Sequence, residues 1–161
     1  MSILDTMVNA IPVAPLKICA LPGCEEKAVR VEEYIKNLQS KLLSMKKGSG
    51  TAYHYNNGSF LIDCECPRFG SGEAKGELKQ SVRGVDLFIL ADVCNHSVTY
   101  KMHDFENRLS PDDHFQNLKR VIAASNGRAH RINVIMPFLY EGRQHKRSGR
   151  ESLDSALALK E

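Results

Sequence analysis

The stretch Val85-Asp86-Leu87-Phe88-Ile89-Leu90-Ala91 is apolar at every position except Asp86. Such a run is typical of a β-strand that is covered on both faces, as in a parallel sheet. A second run, Arg131-Ile132-Asn133-Val134-Ile135-Met136-Pro137, is predicted as the next buried strand. Together the two runs indicate a mostly parallel sheet that needs helices on its faces.

Two helices are predicted around these strands. Between residues 25 and 45, apolar residues recur every three or four positions, which indicates an amphipathic helix. These residues are Ala28, Val31, Tyr34, Ile35, Leu38, Leu42 and Met45. A second helix is predicted to begin at Ser110-Pro111-Asp112-Asp113, because serine is a favoured N-cap and proline and acids suit the first turn. It ends at Asn126-Gly127. Strands and helices alternate, so the predicted fold is α/β with a doubly wound, mostly parallel sheet.

Shorter signals predict the remaining segments. Asn56-Asn57-Gly58 lies between β-like stretches at 51–55 and 59–66 and is a strong β-hairpin signal. Residues 67–76 are glycine-rich and are predicted as a loop, and residues 94–110 are polar and irregular.

Length indicates a single domain, since 161 residues are enough to bury one core. Residues 1–15 are predicted as an irregular N-terminal arm. Residues 16–161 are predicted as the domain, which begins with a strand at 16–20 and ends with a helix at 151–160.

Composition excludes several classes of protein. The net charge is +3, with both signs mixed along most of the chain, unlike the broad basic stripe of a nucleic-acid binder. No segment approaches the roughly 20 apolar residues that span a membrane. The five cysteines are an odd number without a secretory signal, which favours reduced thiols and a cytoplasmic location. The spacing of Cys64-Glu65-Cys66 does not fit a zinc site, and both thiols are expected on one face of a strand.

The candidate functional centre is the basic loop that follows residues 131–137. Its cationic residues are Arg143, Lys146, Arg147 and Arg150, joined by His145 when protonated. Ligands of open α/β sheets bind beyond the carboxyl ends of the strands, and arginine matches phosphate oxygens with paired donors. Gln144 can contact a base edge, and Ser148 can begin the last helix. The loop therefore suits a polyphosphate, although a solvated basic loop remains the alternative.

Two motifs in order resemble the ribose-phosphate pyrophosphokinases. The stretch from Ile132 to Gln144 is similar to the family's strand that ends in Ile-Pro-Tyr and leads into Tyr-Ala-Arg-Gln. Arg68-Phe69-Gly70-Ser71-Gly72-Glu73, followed by Arg83-Gly84 and the strand at 86–90, resembles the Arg-Phe-Ser-Asp-Gly-Glu loop and its following strand. The order and spacing match over roughly residues 16–161, which resembles the N-terminal domain of a divergent bacterial-type member.

The resemblance implies a fold, a reaction and site residues. The fold is that of type I phosphoribosyltransferases, and the enzymes transfer diphosphate from MgATP to ribose 5-phosphate to make phosphoribosyl pyrophosphate. They form homo-oligomers, dimers that assemble into hexamers. The implied ATP-binding residues are Arg143 and Gln144 from the basic loop and Ser71, Gly72 and Glu73 from the other loop. Lys146, Arg147 and Arg150 are additional candidate phosphate contacts.

Departures from the family pattern leave two hypotheses. Ser71 and His145 stand where the family usually has aspartate, and the family's Mg²⁺ ligands and ribose 5-phosphate loop are expected beyond residue 161. No catalytic or metal-binding residue is therefore assigned within the chain. One hypothesis is the ATP-binding domain of a pyrophosphokinase, inactive alone and prone to self-association. The other is a non-catalytic regulatory module that associates with a full-length synthetase.

Overall fold

The computed structural model describes residues 12–45 and 58–160. In chain order the elements of these residues are β1 (Leu16–Ala20), α1 (Glu25–Met45), β2 (Leu61–Ile62), β3 (Cys64–Glu65), β4 (Glu77–Leu78), β5 (Asp86–Leu90), β6 (Thr99–Met102), β7 (Phe105–Arg108), α2 (Pro111–Ala124), β8 (Arg131–Ile135) and α3 (Asp154–Ala158). The predicted arm at 1–15 lies largely outside them, and its separation from the domain stays a prediction.

Four parallel strands form the central sheet, in the order β2-β1-β5-β8. The register aligns Ile18 of β1 with Phe88 of β5, and Phe88 with Asn133 of β8. β5 is paired on both sides along its whole length, which explains why its sequence is almost continuously apolar. The predicted mostly parallel sheet is confirmed.

Helices cover both faces of this sheet. Leu87 and Ile89 of β5 pack in one cluster with Leu118 and Val121 of α2. Leu90 belongs to a second cluster, which includes Ala28 of α1 and lies on the opposite face. Because successive strand residues point to opposite faces, one strand supplies both cores. The doubly wound α/β prediction is therefore confirmed.

The start of α2 is as predicted. Ser110 Oγ accepts a hydrogen bond from the Asp113 backbone N–H at 3.1 Å, and the Asp113 carboxylate accepts one from the Ser110 backbone N–H at 3.0 Å. This reciprocal pair is a capping box, with Pro111 at the first helical position. The helix ends before Asn126, whose φ is 49°.

The predicted burial of the strand at 131–137 is wrong. β8 is the edge strand of the sheet in the described residues, and it pairs with β5 alone. Ile135 is 44% exposed, and Val134 is also exposed. An apolar sequence indicates that a strand can be buried. It does not show whether the strand lies at the edge or in the centre of the sheet.

The predicted apolar face of α1 is wrong at two positions. Val31 and Tyr34 are exposed, whereas Glu32 is buried between the helix and the start of β2. The Glu32 carboxylate accepts hydrogen bonds from Ser59 Oγ at 2.7 Å and from the Phe60 backbone N–H at 2.6 Å. Burial raises the pKa of Glu32, but these bonds outweigh it and hold the pKa below its ordinary value. A polar residue with such partners can occupy a buried position that periodicity assigns to an apolar one.

The region around the predicted hairpin is described only in part. The turn residues Asn56 and Asn57 and the stretch 51–55 lie outside the described residues, as does the predicted helix stop at 48–50. The predicted strand at 59–66 is divided at Asp63 into β2, which joins the parallel sheet, and β3, which pairs antiparallel with β4. One continuous β-like stretch therefore serves two sheets.

An ion pair at the amino end of the sheet gives a prediction for pH dependence. The buried Asp86 carboxylate accepts hydrogen bonds from Arg131 Nε at 2.9 Å and Asn133 Nδ2 at 2.7 Å. Arg131 holds the pKa of Asp86 below its ordinary value. A carboxylate with a lowered folded-state pKa stabilises the fold above its unfolded pKa, and this stability is lost as pH falls below about 4. Urea unfolding of Asp86→Asn should show lower stability at pH 7 and a smaller loss between pH 4 and 2 than the unmodified chain shows.

The exposed Asp104 provides the control, because its carboxylate has no partner among the described residues. Asp104→Asn should leave both the stability at pH 7 and its acid dependence unchanged. Equal pH profiles for Asp86→Asn and the unmodified chain would contradict the assignment of acid sensitivity to Asp86.

Candidate functional site

The loop with Ser71, Gly72 and Glu73 is a tight turn between Arg68 and Ala74, which form an isolated β-bridge. The Phe69 backbone N–H donates to the Glu73 carbonyl at 2.7 Å, and the Gly72 backbone N–H donates to the Phe69 carbonyl at 2.9 Å. Gly72 has a φ of 88°, which side chains rarely adopt. The turn therefore presents Ser71 and Glu73 at an exposed tip, where Ser71 Oγ donates to the Glu73 carboxylate at 2.9 Å.

Arg68 fixes this turn to the rest of the domain. Its side chain is only 8% exposed. It donates to the Gly72 carbonyl at 2.9 Å and to Asp113 Oδ1 at 3.0 Å, and it stacks 4.3 Å from the ring centre of Tyr100. Burial raises the pKa of Asp113, but hydrogen bonds from Ser110 and Arg68 keep it below its ordinary value. Arg68 thus holds the turn against the first turn of α2.

The basic loop begins at a second anchor on the same helix. The Tyr140 ring stacks on Phe115 with centroids 4.2 Å apart, and the Tyr140 hydroxyl donates to Asp112 Oδ1 at 2.7 Å. This bond raises the pKa of Tyr140. Two backbone hydrogen bonds then form tight turns in the chain. The Gly142 N–H donates to the Leu139 carbonyl and the Gln144 N–H donates to the Glu141 carbonyl, both at 3.0 Å. The start of the basic loop is consequently well defined.

The cations of the basic loop differ in their contacts. Arg143, Lys146 and Arg150 are exposed, and their side chains make no hydrogen bond or ion pair within residues 12–45 and 58–160. Arg147 Nε donates to the Glu151 carbonyl at 2.9 Å. Gln144 Nε2 has a long bond of 3.4 Å to the Ser152 carbonyl. Three cations are therefore available to an anion.

Ser148 does not begin the last helix, contrary to the expectation from the sequence. Its hydroxyl and backbone N–H both donate to Glu151 Oε1, at 2.5 and 2.7 Å. These bonds lower the pKa of Glu151 to about 2. α3 begins later, after Leu153, and no side chain caps it. The predicted helix-terminal anion site at Ser148 is wrong because a carboxylate occupies those donors.

The two loops meet at the first turn of α2. Asp112 binds Tyr140 of the basic loop, and the adjacent Asp113 binds Arg68 of the turn. No hydrogen bond or ion pair in the described part of the chain joins Ser71, Gly72 or Glu73 to Arg143 or Gln144. The fold thus brings both motifs to one end of one helix, but it leaves them without direct contact.

The hairpin of β6 and β7 also belongs to this region, and sequence reasoning missed it. Residues 99–108 form two antiparallel strands with a tight turn at His103, whose φ is 54°. The segment was predicted to be irregular because it is polar and lacks an Asn-Gly signal. The sequence signal for a strand there is the alternation of Thr99 and Lys101 with the more apolar Tyr100 and Met102.

An apolar groove of about 610 Å³ lies between α2, β8 and α3. Phe115, Ile122, Val134, Met136 and Leu139 line it. An adjoining polar depression of about 590 Å³ contains Asp112, Glu141 and Asp154. The acids on its wall make this depression unsuitable for phosphate, so an anion is expected at the free cations of the basic loop instead.

Four of the five cysteines, Cys19, Cys24, Cys64 and Cys66, pack in the core clusters, whereas Cys94 is exposed. Cys64 and Cys66 both pack against the core cluster under α2, which confirms that their thiols share a face. Cys64 Sγ donates to the Ala20 carbonyl at 3.1 Å, and burial raises the pKa of Cys66 to about 11. All five cysteines of the chain are free. The described residues contain no group of three or more metal-binding side chains.

Residues 16–161 match the family described as the N-terminal domain of ribose phosphate pyrophosphokinase. The chain belongs to this family. The crystal structure of phosphoribosylpyrophosphate synthetase from Mycobacterium smegmatis shares the fold, with a TM-score of 0.57 and 20% identity. The similarity covers 89% of this chain and 37% of that one, so the chain spans well under half of that protein. A comparison with curated proteins finds no match.

Membership confirms the resemblance to the pyrophosphokinases. The contacts of the individual motif residues are described by the structure alone. Arg143 is exposed and its side chain makes no hydrogen bond or ion pair within residues 12–45 and 58–160, whereas Gln144 is partly held by Ser152. Ser71, which the sequence predicts to stand where the family has aspartate, binds the Glu73 carboxylate. His145 Nδ1 lies 3.1 Å from the Gly142 carbonyl.

Among the helices of the described residues, none combines the length and the apolar composition that a membrane span requires.

Proposed function

We propose that this chain is the ATP-binding domain of a ribose-phosphate pyrophosphokinase. In this proposal Arg143, Lys146 and Arg150 bind the polyphosphate, with Arg147 as a further contact. The observation that carries it is the set of three exposed, unpaired cations in the loop after the carboxyl end of a parallel strand. Arginine and lysine without internal partners offer charge-assisted hydrogen bonds to phosphate oxygens.

The base would be held by the other motif. Glu73 presents carboxylate acceptors at the exposed tip of the turn, and the Ser71 hydroxyl orients that carboxylate. Gln144 adds an amide that can both donate and accept. The turn and the basic loop share α2 as their anchor, which supports one nucleotide site assembled from Ser71, Gly72, Glu73, Arg143 and Gln144. In this proposal the two halves of the site come either from one protomer or from two neighbouring protomers of a homo-oligomer.

Magnesium would enter this site as MgATP. The described residues hold no cluster of acids or histidines that fits the ion, and Mg²⁺ commonly takes much of its coordination from nucleotide phosphates. When bound, the ion neutralises phosphate charge. The residues of this chain would bind and orient the nucleotide, whereas diphosphate transfer to ribose 5-phosphate, giving phosphoribosyl pyrophosphate, belongs to the complete enzyme. A cytoplasmic location and a dimeric or hexameric assembly belong to the same proposal, and the exposed apolar residues of β8 support assembly.

The effect of removing Arg143 tests the proposal. Isothermal titration with MgATP should show binding to the unmodified chain and at least roughly tenfold weaker binding to Arg143→Ala, because one charge-assisted contact is lost. Arg128→Ala is the matched control: Arg128 is also exposed without a described side-chain partner, but it lies near the amino end of β5, where its carbonyl binds the Gly84 N–H.

The control separates a specific contact from net charge. Arg128→Ala should bind MgATP as the unmodified chain does. Equal losses of MgATP affinity in both variants would show that Arg143 acts through net charge and not through a specific contact. A folded, unmodified chain that binds no MgATP would overturn the proposal and favour the regulatory module, which associates with a full-length synthetase without catalysis.

A further inference from the structure

The hairpin of β6 and β7 has two distinct faces. Tyr100, Met102 and Asn107 are half-buried, whereas Thr99, Lys101, Glu106 and Arg108 are exposed. The register pairs Tyr100 with Asn107 and Met102 with Phe105, and paired residues of antiparallel strands project from the same face. The hairpin therefore has an inner face formed by Tyr100, Met102, Phe105 and Asn107.

This inner face lies against the turn that carries Ser71, Gly72 and Glu73. The Tyr100 ring packs on the Arg68 guanidinium at 4.3 Å. A Cβ placed on Gly72 would lie 3.1 Å from the sulfur of Met102, and one placed on Gly70 would lie 3.8 Å from the His103 ring. The hairpin thus touches the turn at its base and along its tip, so it forms a wall beside the proposed base-binding residues.

Phe105 is the unusual member of the inner face. It is paired directly with Met102, which touches Gly72, yet its side chain is 75% exposed. Phe69, within the turn itself, is exposed as well. Single exposed apolar residues are common, but these two aromatic residues lie on elements that contact each other, and one of those elements is the turn that carries Glu73. Aromatic rings stack on nucleobases, each of which has a π-face.

We propose that the β6–β7 hairpin is a wall of the nucleotide site, in which Tyr100 and Met102 position the turn and Phe105 stacks on the base. The inference rests on the proposed ATP-binding function and adds a base contact outside the two motifs. Stacking on Phe105 works together with hydrogen bonding to Glu73, since the ring contacts the face of the base and the carboxylate contacts its edge.

Binding of two probes by Phe105→Ala tests the inference. MgATP carries a base and inorganic tripolyphosphate does not, so loss of stacking should weaken MgATP binding about tenfold and leave tripolyphosphate binding unchanged. Phe105→Tyr retains the ring and should retain MgATP affinity. Tyr34→Ala removes another strongly exposed aromatic ring, on α1, and should bind both probes normally.

The possible failures are distinguishable. Unchanged MgATP binding by Phe105→Ala, while Arg143→Ala is impaired, would overturn the stacking contact and leave the proposed function standing. Equal weakening of both probes by Phe105→Ala would also overturn it, because the residue would then act on the fold. An unmodified chain that binds neither probe would overturn the proposed function and this inference together.

Discussion

Replacing Gly76 with alanine is expected to destabilise the domain by about 3 kcal/mol, because the new methyl group would collide with the backbone of α2. A Cβ at this position would lie 2.4 Å from the Arg120 carbonyl oxygen and 2.9 Å from the Val121 nitrogen. Both atoms belong to a regular helix and cannot move aside like the end of a flexible side chain. The segment between the turn and β4 would have to move away from α2, and thermal unfolding should show the midpoint lowered by roughly 10 °C.

Gly70→Ala is the matched control for this substitution. Gly70 lies in the same loop, and the nearest atom to a Cβ there is 3.8 Å away, at ordinary van der Waals distance. Its midpoint should change little. Because residues 71–73 sit between the two glycines, Gly76→Ala should also weaken MgATP binding if the proposed site is correct. Similar midpoints for both variants would show that the backbone at Gly76 does not pack against α2 in solution.

The central part of the fold was predictable because its signals are local. The apolar run at 85–91 identified the strand that is paired on both sides, and Ser110 with Asp113 identified the start of α2. Both follow from hydrophobic periodicity and helix capping, which act within a few residues. The edge position of β8 was not predictable in this way, because it depends on what pairs with the strand rather than on its composition.

The candidate site was predictable as a set of residues but not as an arrangement. The motifs named Arg143, Gln144 and Glu73, but nothing in either motif shows that Asp112 and Asp113 anchor both loops on one helical turn. The buried contacts of Arg68 join residues 45 positions apart, and the hairpin wall contributes through a segment with weak polar alternation. Such contacts depend on tertiary packing, which overrides local propensity.

The contrast between the central and edge strands gives the largest expected effect on stability. Leu87 of β5 is fully buried under α2, so Leu87→Ala should cost about 4 kcal/mol through lost burial and the cavity left behind. Ile135 of β8 is 44% exposed on the other face of the sheet. Ile135→Ala should cost about 1 kcal/mol, since much of its side chain contacts water in the folded chain.

Urea unfolding of both variants therefore measures whether β8 is an edge in solution. A large difference between the two free energies of unfolding agrees with the sheet order β2-β1-β5-β8 and a solvated outer strand. Comparable losses would mean that another surface covers Ile135, and the midpoint of the unmodified chain should then rise with protein concentration, because association stabilises the folded state by mass action. A Leu87→Ala variant as stable as the unmodified chain would contradict the central position of β5.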